Sequence, residues 1–90
     1  MDNNKKYLLS KDCIIAPVVD GIILLNLDTG KYSEANLTGK SIIYLIKENA
    51  MTSDEIIKAC SDKFPNERIE SDIREFLTLA LKEGVIQIEN

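Results

Sequence analysis

The chain has 90 residues, of which 44% are hydrophobic, and carries a formal net charge of −4 with no histidine. This length corresponds to one domain with a modest core. The acidic balance argues against nucleic acid or an anionic membrane as the main partner, and the lack of histidine removes the commonest general base and metal ligand. No stretch reaches the roughly 20 apolar residues of a membrane span, and no signal peptide is visible. We therefore expect a soluble, cytoplasmic protein without a metal or cofactor.

The N-terminal part of the chain predicts a loose segment followed by an edge strand. Residues 1–11 are polar and are expected to be flexible, although residues 7–9 are apolar enough to form a short strand. An apolar run over 13–16 leads into Pro17. Because proline cannot donate to a sheet ladder, this strand is predicted at an edge.

Two further strands are predicted to complete an antiparallel meander. Asp20-Gly21 is a strong signal for a two-residue hairpin turn, and the apolar run Ile22–Leu27 predicts a central strand that is covered on both faces. Gly30 suits a second turn that needs positive φ. The third strand, Lys31–Glu34, is short and polar and lies at an edge without proline. Such an edge is either protected by its charges or used by a partner.

Two helices are predicted to follow the meander. The first starts at Thr38 and ends near Asn49, with Tyr44 close to the core. The second opens with a capping box between Thr52 and Glu55. It ends at Phe64-Pro65, since the residue before proline is disfavoured in the α region.

The third predicted helix is the longest and has the widest apolar arc. It starts near Asn66, runs to Glu83 and ends at Gly84, which suits a left-handed C-cap. A short extended tail, Val85–Ile88, follows. The arc indicates either a central helix packed on two sides or a helix that leaves part of its arc open as a groove. It is formed by Ile69, Ile73, Phe76 and Ala80, with Leu77 and Leu81 on one flank and Leu79 on the other.

The sequence contains no pattern typical of catalysis. Cys13 and Cys60 fit no metal spacing and are expected to be buried and reduced. Paired carboxylates would need a cleft and a raised pKa, neither of which is visible, so we expect a protein that is not an enzyme.

A sheet with three helices also resembles a winged helix, which makes a DNA-binding regulator an alternative. The third helix and its flanks, residues 67–83, carry three basic residues against five acidic ones. The net charge of this segment is therefore negative, which is unfavourable for a helix that enters a DNA groove lined with phosphates. Pairing of the third strand with itself in a homodimer is a further alternative.

The ordered motifs of the chain resemble those of the PqqD-like family, the RiPP recognition elements. These are small domains that bind the leader of a ribosomally made peptide and present it to a modifying enzyme. The resemblance covers about residues 12–88, and the domain is assigned to residues 12–90. The motifs are Leu24–Tyr32, Asn36-Leu37-Thr38-Gly39, Ile42 with Leu45, Asp72-Ile73, Phe76-Leu77 and Gly84-Val85-Ile86.

The resemblance implies an α+β, winged-helix-like fold, in which a three-stranded antiparallel meander is followed by three α-helices. It also implies that a leader peptide adds as an antiparallel strand to the third strand and packs against the third helix. The side of that helix bearing Asp72 and Leu79 is chosen over the side bearing Arg74 and Leu81. The implied peptide-binding residues are Lys31, Tyr32, Ser33, Glu34, Ala35, Ile69, Asp72, Ile73, Glu75, Phe76 and Leu79.

The resemblance is compatible with two biosynthetic pathways. The stand-alone subunits of lasso peptide systems work with a separate leader peptidase, and the pyrroloquinoline quinone chaperone works with a radical SAM enzyme. The lysine- and isoleucine-rich composition favours the lasso type. The expected partners are therefore a precursor leader peptide and a leader peptidase or another RiPP-modifying enzyme, with neither nucleic acid nor a membrane.

Overall fold

The structure, a computed structural model, describes residues 5–89. It contains six strands and three helices within that range. In chain order they are β1 (Lys6–Leu9), β2 (Cys13–Val18), β3 (Gly21–Asn26), β4 (Tyr32–Ala35), α1 (Leu37–Glu48), β5 (Met51–Thr52), α2 (Ser53–Lys63), α3 (Ile69–Lys82) and β6 (Ile86–Glu89).

The predicted meander is confirmed. Its strands lie in the order β2-β3-β4, and both neighbouring pairs are antiparallel. Pro17 lies in β2 at one edge, as predicted, and β4 forms the other edge. The three α-helices follow, so the α+β class, with a meander before three helices, is also confirmed.

The first hairpin turn lies one residue earlier than predicted. Val18 pairs with Gly21, so the two turn residues are Val19 and Asp20, and Asp20 has the positive φ, 63°. Gly21 instead begins β3. A Cβ at this position would collide with the carbonyl oxygen of Ala35, so glycine is required there for close strand approach rather than for the turn.

The central strand is covered on one face only, which corrects the prediction of two covered faces. Ile22 and Leu24 are buried, whereas Ile23 and Leu25 on the opposite face are only half-buried. Directly paired residues of antiparallel strands share a face. The partner of Leu25 in β2, Ile14, is accordingly 48% exposed. The alternation of this sheet is therefore that of a sheet packed on one side, with an unusually apolar outer face.

The first two helices begin with side-chain caps. Asn36 caps α1, and its Oδ1 accepts a hydrogen bond from the Gly39 N–H at 3.0 Å. The predicted capping box of α2 is confirmed, since the Glu55 N–H donates to Thr52 Oγ1 and the Thr52 N–H donates to Glu55 Oε1. Phe64 is the C-cap residue of α2, as predicted.

The third helix starts at Ile69, three residues later than predicted. Asn66 holds the chain in a turn, because its Oδ1 accepts from the Arg68 N–H at 2.9 Å and its carbonyl accepts from the Ile69 N–H at 3.1 Å. Asparagine side chains compete with helix formation in this way. Gly84 follows the helix with a φ of 76°, as predicted, and Gly30 has a φ of 75°.

A second small sheet ties the two ends of the described chain together. Its strands lie in the order β5-β1-β6, and β1 pairs antiparallel with both neighbours. The expectation that residues 1–11 are flexible is therefore wrong for residues 6–9, where the alternative of a short strand holds; residues 1–4 lie outside the described residues. The predicted C-terminal tail is extended because it forms β6, which pairs with β1.

One apolar core holds both sheets and the helices together. α1 packs on β1 and β3, and α3 packs on α2 and β6. The core is composed of Ile22, Leu24, Ile42, Ile43, Ile46, Ile56, Cys60, Ile69, Ile73, Leu77, Ala80, Val85 and Ile86.

Asn26 is a buried polar residue at the end of β3 whose hydrogen bonds are satisfied. Its Nδ2 donates to the Gly84 carbonyl at 3.3 Å, and its Oδ1 accepts from the Asp28 N–H at 2.9 Å. Asn26 thus links the second hairpin turn to the connection between α3 and β6, which fixes the end of β4 relative to α3.

Candidate functional site

The strand β4 has a free edge among the described residues, since it pairs only with β3. The Asn26 N–H donates to the Lys31 carbonyl at 2.9 Å, which makes these two residues a hydrogen-bonded pair at the hairpin end. Hydrogen-bonded and non-hydrogen-bonded pairs alternate along an antiparallel ladder. Ser33 therefore bonds inward to β3, and the peptide groups of Tyr32 and Glu34 point outward, available to another strand.

The helix α3 forms the wall opposite this edge. Two adjoining hollows of about 320 and 280 Å³ lie between α3 and β4, and both are lined by Glu34, Phe76 and Leu79. We call the two hollows together the β4–α3 groove. Its further lining residues are Leu24, Tyr32, Ser33, Ala35, Asn36, Thr38, Gly39, Asp72, Glu75, Ala80, Glu83 and Val85.

The floor of the groove is set by close packing around Phe76. A Cβ added to Gly39 would lie 2.8 Å from Phe76 Cε1 and 2.8 Å from Ala35 Cβ. Glycine at this position therefore lets the first turn of α1 approach both the ring and β4. The ring of Phe76 is half-buried and remains accessible from the groove.

All charged side chains that line the β4–α3 groove are negative. Its lining contains four carboxylates and no lysine or arginine. An extended segment placed in this groove would therefore meet an apolar floor between acidic rims. The carboxylates belong to Glu34, Asp72, Glu75 and Glu83.

The opposite side of α3 faces away from β4. Arg74 pairs with Glu70 at 3.1 Å and with Asp54 of α2 at 3.9 Å. Leu81 lines a different hollow, beside Tyr7 of β1. The side bearing Asp72 and Leu79 is thus the one next to β4, as the sequence analysis chose.

The structure brings together most, but not all, of the residues implied by the resemblance. Lys31 lies just before β4 and is not part of the lining. Ile69 and Ile73 belong to α3 but lie on its buried face, in the core, and are not part of the lining either. The peptide-binding role of the whole set stays a prediction. The predicted residues that line the groove are Tyr32, Ser33, Glu34, Ala35, Asp72, Glu75, Phe76 and Leu79.

The start of α1 and its N-cap residue also contribute to the groove, which was not predicted from the sequence. Asn36, Thr38 and Gly39 belong to a motif of the family resemblance but were not among the predicted site residues, yet all three line the groove. Gly39 gave a usable signal, because a glycine inside a helix pattern often marks a close approach. Glu83 was missed although it lies one helical turn after Leu79, and its N–H donates to the Leu79 carbonyl at 2.9 Å. Val85 was missed because its position depends on a long-range bond, in which its carbonyl accepts from the Ser10 N–H at 3.0 Å.

The described residues offer little for redox or metal chemistry. Burial raises the pKa of both the Cys13 and the Cys60 thiol, which disfavours the reactive thiolate. Within residues 5–89 there is no group of three or more cysteine, aspartate or glutamate side chains placed to hold a metal ion. No helix in that range is long and apolar enough to cross a membrane.

Comparison with protein families identifies the chain. The family described as coenzyme PQQ synthesis protein D (PqqD) matches residues 21–86, from β3 to the start of β6. The chain belongs to the PqqD family. The family resemblance inferred from the motifs is therefore confirmed, and the match includes both walls of the β4–α3 groove. None of the curated proteins compared with the chain matches it significantly.

Two solved structures share the fold. TbiB1 in complex with the TbiA(beta) leader peptide is 27% identical, with a TM-score of 0.76 over 89% of this chain and 94% of that one. A lasso peptide synthetase B1 complexed with the leader peptide is 20% identical, with a TM-score of 0.73 over 90% of this chain and 96% of that one. This PqqD-family chain thus has the winged-helix-like fold of those proteins along nearly its whole length.

Proposed function

We propose that this chain is a non-catalytic RiPP recognition element that binds the leader of a ribosomally made precursor peptide in the β4–α3 groove. The proposal rests on one observation: the free edge of β4 lies beside a groove whose floor is apolar. Family membership and the likeness to a 27% identical protein in complex with a leader peptide support it. Presentation of the bound leader to a processing enzyme completes the proposed role.

The proposed mechanism is strand addition to β4. The leader forms backbone hydrogen bonds to Tyr32 and Glu34, whose peptide groups point outward, and these bonds tolerate different leader sequences. Alternate leader side chains then point into the groove, where Phe76 and Leu79 provide apolar contacts. Because an extended peptide loses conformational entropy when it binds, we expect a dissociation constant of about 1 μM, or about −8 kcal/mol.

The acidic rims favour a leader that carries lysine or arginine beside its apolar anchors. Like charges facing each other across an interface are costly, whereas opposite charges increase the association rate and fix the register. We therefore expect leader binding to weaken as the salt concentration rises, because exposed charges are screened within about 10 Å at 0.1 M ionic strength.

A lasso peptide pathway is the favoured setting, with a separate leader peptidase as the enzyme that receives the leader. The lysine- and isoleucine-rich composition favours this setting, whereas the 27% identical protein supports leader binding as such. The second candidate is a pyrroloquinoline quinone pathway with a radical SAM enzyme, which the family's own description supports. Reconstitution distinguishes them: the chain stimulates either a leader peptidase or a radical enzyme acting on the same precursor.

Alternate N-methylation of the leader tests strand addition directly. The leader of a candidate precursor peptide is synthesised in a series, each member bearing one N-methyl amide. Only every second amide of an added strand bonds to β4, so affinity falls strongly and weakly in alternation along the paired stretch. Equal effects at consecutive positions, with the protein folded, contradict strand addition.

A further inference from the structure

A second groove lies between α1 and α2 and takes no part in the proposed leader site. It has a volume of about 530 Å³ and is open to solvent. We call it the α1–α2 groove. It shares no lining residue with the β4–α3 groove and is lined by Leu37, Lys40, Ser41, Tyr44, Leu45, Ala59, Cys60, Lys63 and Phe64.

The groove is formed by one stripe of each helix. On α1, Leu37, Ser41 and Tyr44 follow the three- and four-residue spacing of a helix face. Leu37 is 49% exposed and Tyr44 is 41% exposed, so the sequence-based placement of Tyr44 near the core is wrong. Large apolar side chains are thus presented to solvent along the rim of a concave surface, a combination that marks interaction sites.

The charge of the α1–α2 groove is opposite to the net charge of the chain. Its lining contains the ammonium groups of Lys40 and Lys63 and no carboxylate. The ion pairs formed among residues 5–89 all involve Arg74, so neither lysine forms a direct ion pair with a carboxylate in that range. Lys47 adds a third positive charge, with its Nζ 5.8 Å from the centre of the Tyr44 ring.

The groove floor has no catalytic character of its own. Cys60 is almost fully buried there, and burial raises the pKa of its thiol. The groove therefore offers apolar contact and positive charge, which are the requirements of a docking surface rather than of a reaction.

We propose that the α1–α2 groove docks an acidic amphipathic segment of a partner protein, with its apolar side chains against Leu37 and Tyr44 and its carboxylates beside Lys40 and Lys63. Charge complementarity carries the choice of occupant. A groove between two helices suits an amphipathic helix, which places anchors at positions i, i+3, i+4 and i+7.

The first turn of α1 separates the two grooves. Asn36, Thr38 and Gly39 line one of them, and Leu37 and Lys40 line the other. Both can therefore be occupied at once. A partner docked in the α1–α2 groove would lie next to a leader in the β4–α3 groove, which raises the effective concentration of one for the other.

The test uses the full chain and two designed 15-residue peptides, followed by backbone amide shifts. Both peptides have leucine at i, i+3, i+4 and i+7; one has glutamate at the remaining positions and the other has lysine. The acidic peptide is expected to bind saturably and at least tenfold more tightly than the basic peptide. Its shifts are expected to map to residues 37–45 and 59–64.

Charge-reversal variants provide the second readout. The double variant Lys40→Glu with Lys63→Glu is expected to weaken binding of the acidic peptide at least tenfold. Lys58→Glu, an exposed site on α2 outside the groove lining, changes it less than twofold. Amide spectra of each variant verify that the fold is retained.

Several outcomes overturn the proposal. They are equal binding of both peptides, no saturation by the acidic peptide below 1 mM, shifts centred on the sheet, or an equal loss with Lys58→Glu. A leader titration on the same sample separates the two proposals. Failure of the leader to bind contradicts the proposed function alone, and displacement of the acidic peptide by the leader contradicts two independent grooves.

Discussion

The β4–α3 groove and the α1–α2 groove meet at the first turn of α1 but differ in construction. The first has a strand edge with outward peptide groups at Tyr32 and Glu34 and an acidic rim. The second lies between two helices, whose peptide groups are already bonded internally, and it carries lysines. Backbone pairing is therefore available only in the first, whereas the second depends on side chains.

This difference determines which kind of partner each groove can discriminate. Backbone hydrogen bonds accept many sequences, so an extended peptide suits the β4 edge. Side-chain anchors and charge select more strictly, so a structured acidic segment suits the α1–α2 groove. The first three predictions below change the β4–α3 groove, and the last changes the capping box of α2, which lines neither groove.

Removal of the apolar floor is expected to have the largest effect. Phe76→Ala should weaken leader binding about thirtyfold, or about 2 kcal/mol, because an aromatic anchor in a pocket is a typical binding hot spot. The acidic peptide should bind the α1–α2 groove unchanged. Calorimetric titration of both ligands measures the two effects.

Leu81→Ala is the matched control for Phe76→Ala. Leu81 is half-buried on the other side of the same helix, away from β4, so its loss costs stability without removing a groove contact. An equal loss of leader affinity in both variants would show that helix stability, and not the groove floor, determines binding.

Charge reversal of the acidic rim comes next. Asp72→Lys combined with Glu75→Lys should weaken binding of a lysine- or arginine-containing leader about tenfold, or about 1.4 kcal/mol, and should remove most of its salt dependence. Titrations at 50 and 300 mM salt measure both. Glu48→Lys, outside the groove lining, is the control. Tighter binding by the reversed variant would contradict the proposed leader chemistry.

A subtler change concerns the fit between α1 and Phe76. Gly39→Ala places a Cβ 2.8 Å from Phe76 Cε1, so the ring must shift, and leader binding should weaken about threefold, or about 0.7 kcal/mol. Ser41→Ala on the other face of α1 should leave leader binding unchanged. An unchanged leader affinity in Gly39→Ala would mean that the ring position does not limit the groove.

The smallest effect concerns the α2 capping box and should leave both grooves intact. Backbone and side-chain hydrogen bonds with Thr52 lower the pKa of the Glu55 carboxyl below its ordinary value. A lowered pKa in the folded state means that this stabilisation is present above the ordinary pKa near 4.5 and is lost as the pH falls through the folded value.

Thermal unfolding between pH 7 and pH 3 tests this link. Glu55→Ala should unfold at a slightly lower temperature at pH 7, and the difference from the original chain should shrink towards pH 3. A difference that stays constant over this range would show that the carboxylate charge does not contribute. Affinity for the leader at pH 7 should be unchanged.

The local signals of the sequence were sufficient for the helices and the meander. The capping box of Thr52 and Glu55, the proline in the edge strand and the left-handed Gly84 just after α3 each act within a few residues and were located correctly. The start of α3 was predicted three residues too early, because a side-chain hydrogen bond competes with the helix there. Asn66 delays α3 because its side chain bonds the following backbone first.

Long-range pairing accounts for most of what the sequence did not reveal. Residues 7–9 are apolar enough to indicate a strand, but nothing within residues 6–9 indicates that β5 and β6 flank it and complete a second sheet. The exposed Tyr44 was misplaced because an apolar run on a helix does not say which side a neighbouring helix leaves open. The residues of the β4 edge followed from the motifs, whereas those contributed by α1 required the packing of Gly39 on Phe76.

Leader recognition is tested first by titrating the full chain with the leader of a candidate precursor peptide and following the backbone amide shifts. We expect saturable binding near 1 μM, with the largest shifts at residues 32–35 and at Asp72, Phe76 and Leu79. Shifts confined to residues 37–45 and 59–64, or no binding by a folded protein, would contradict leader recognition at the β4–α3 groove.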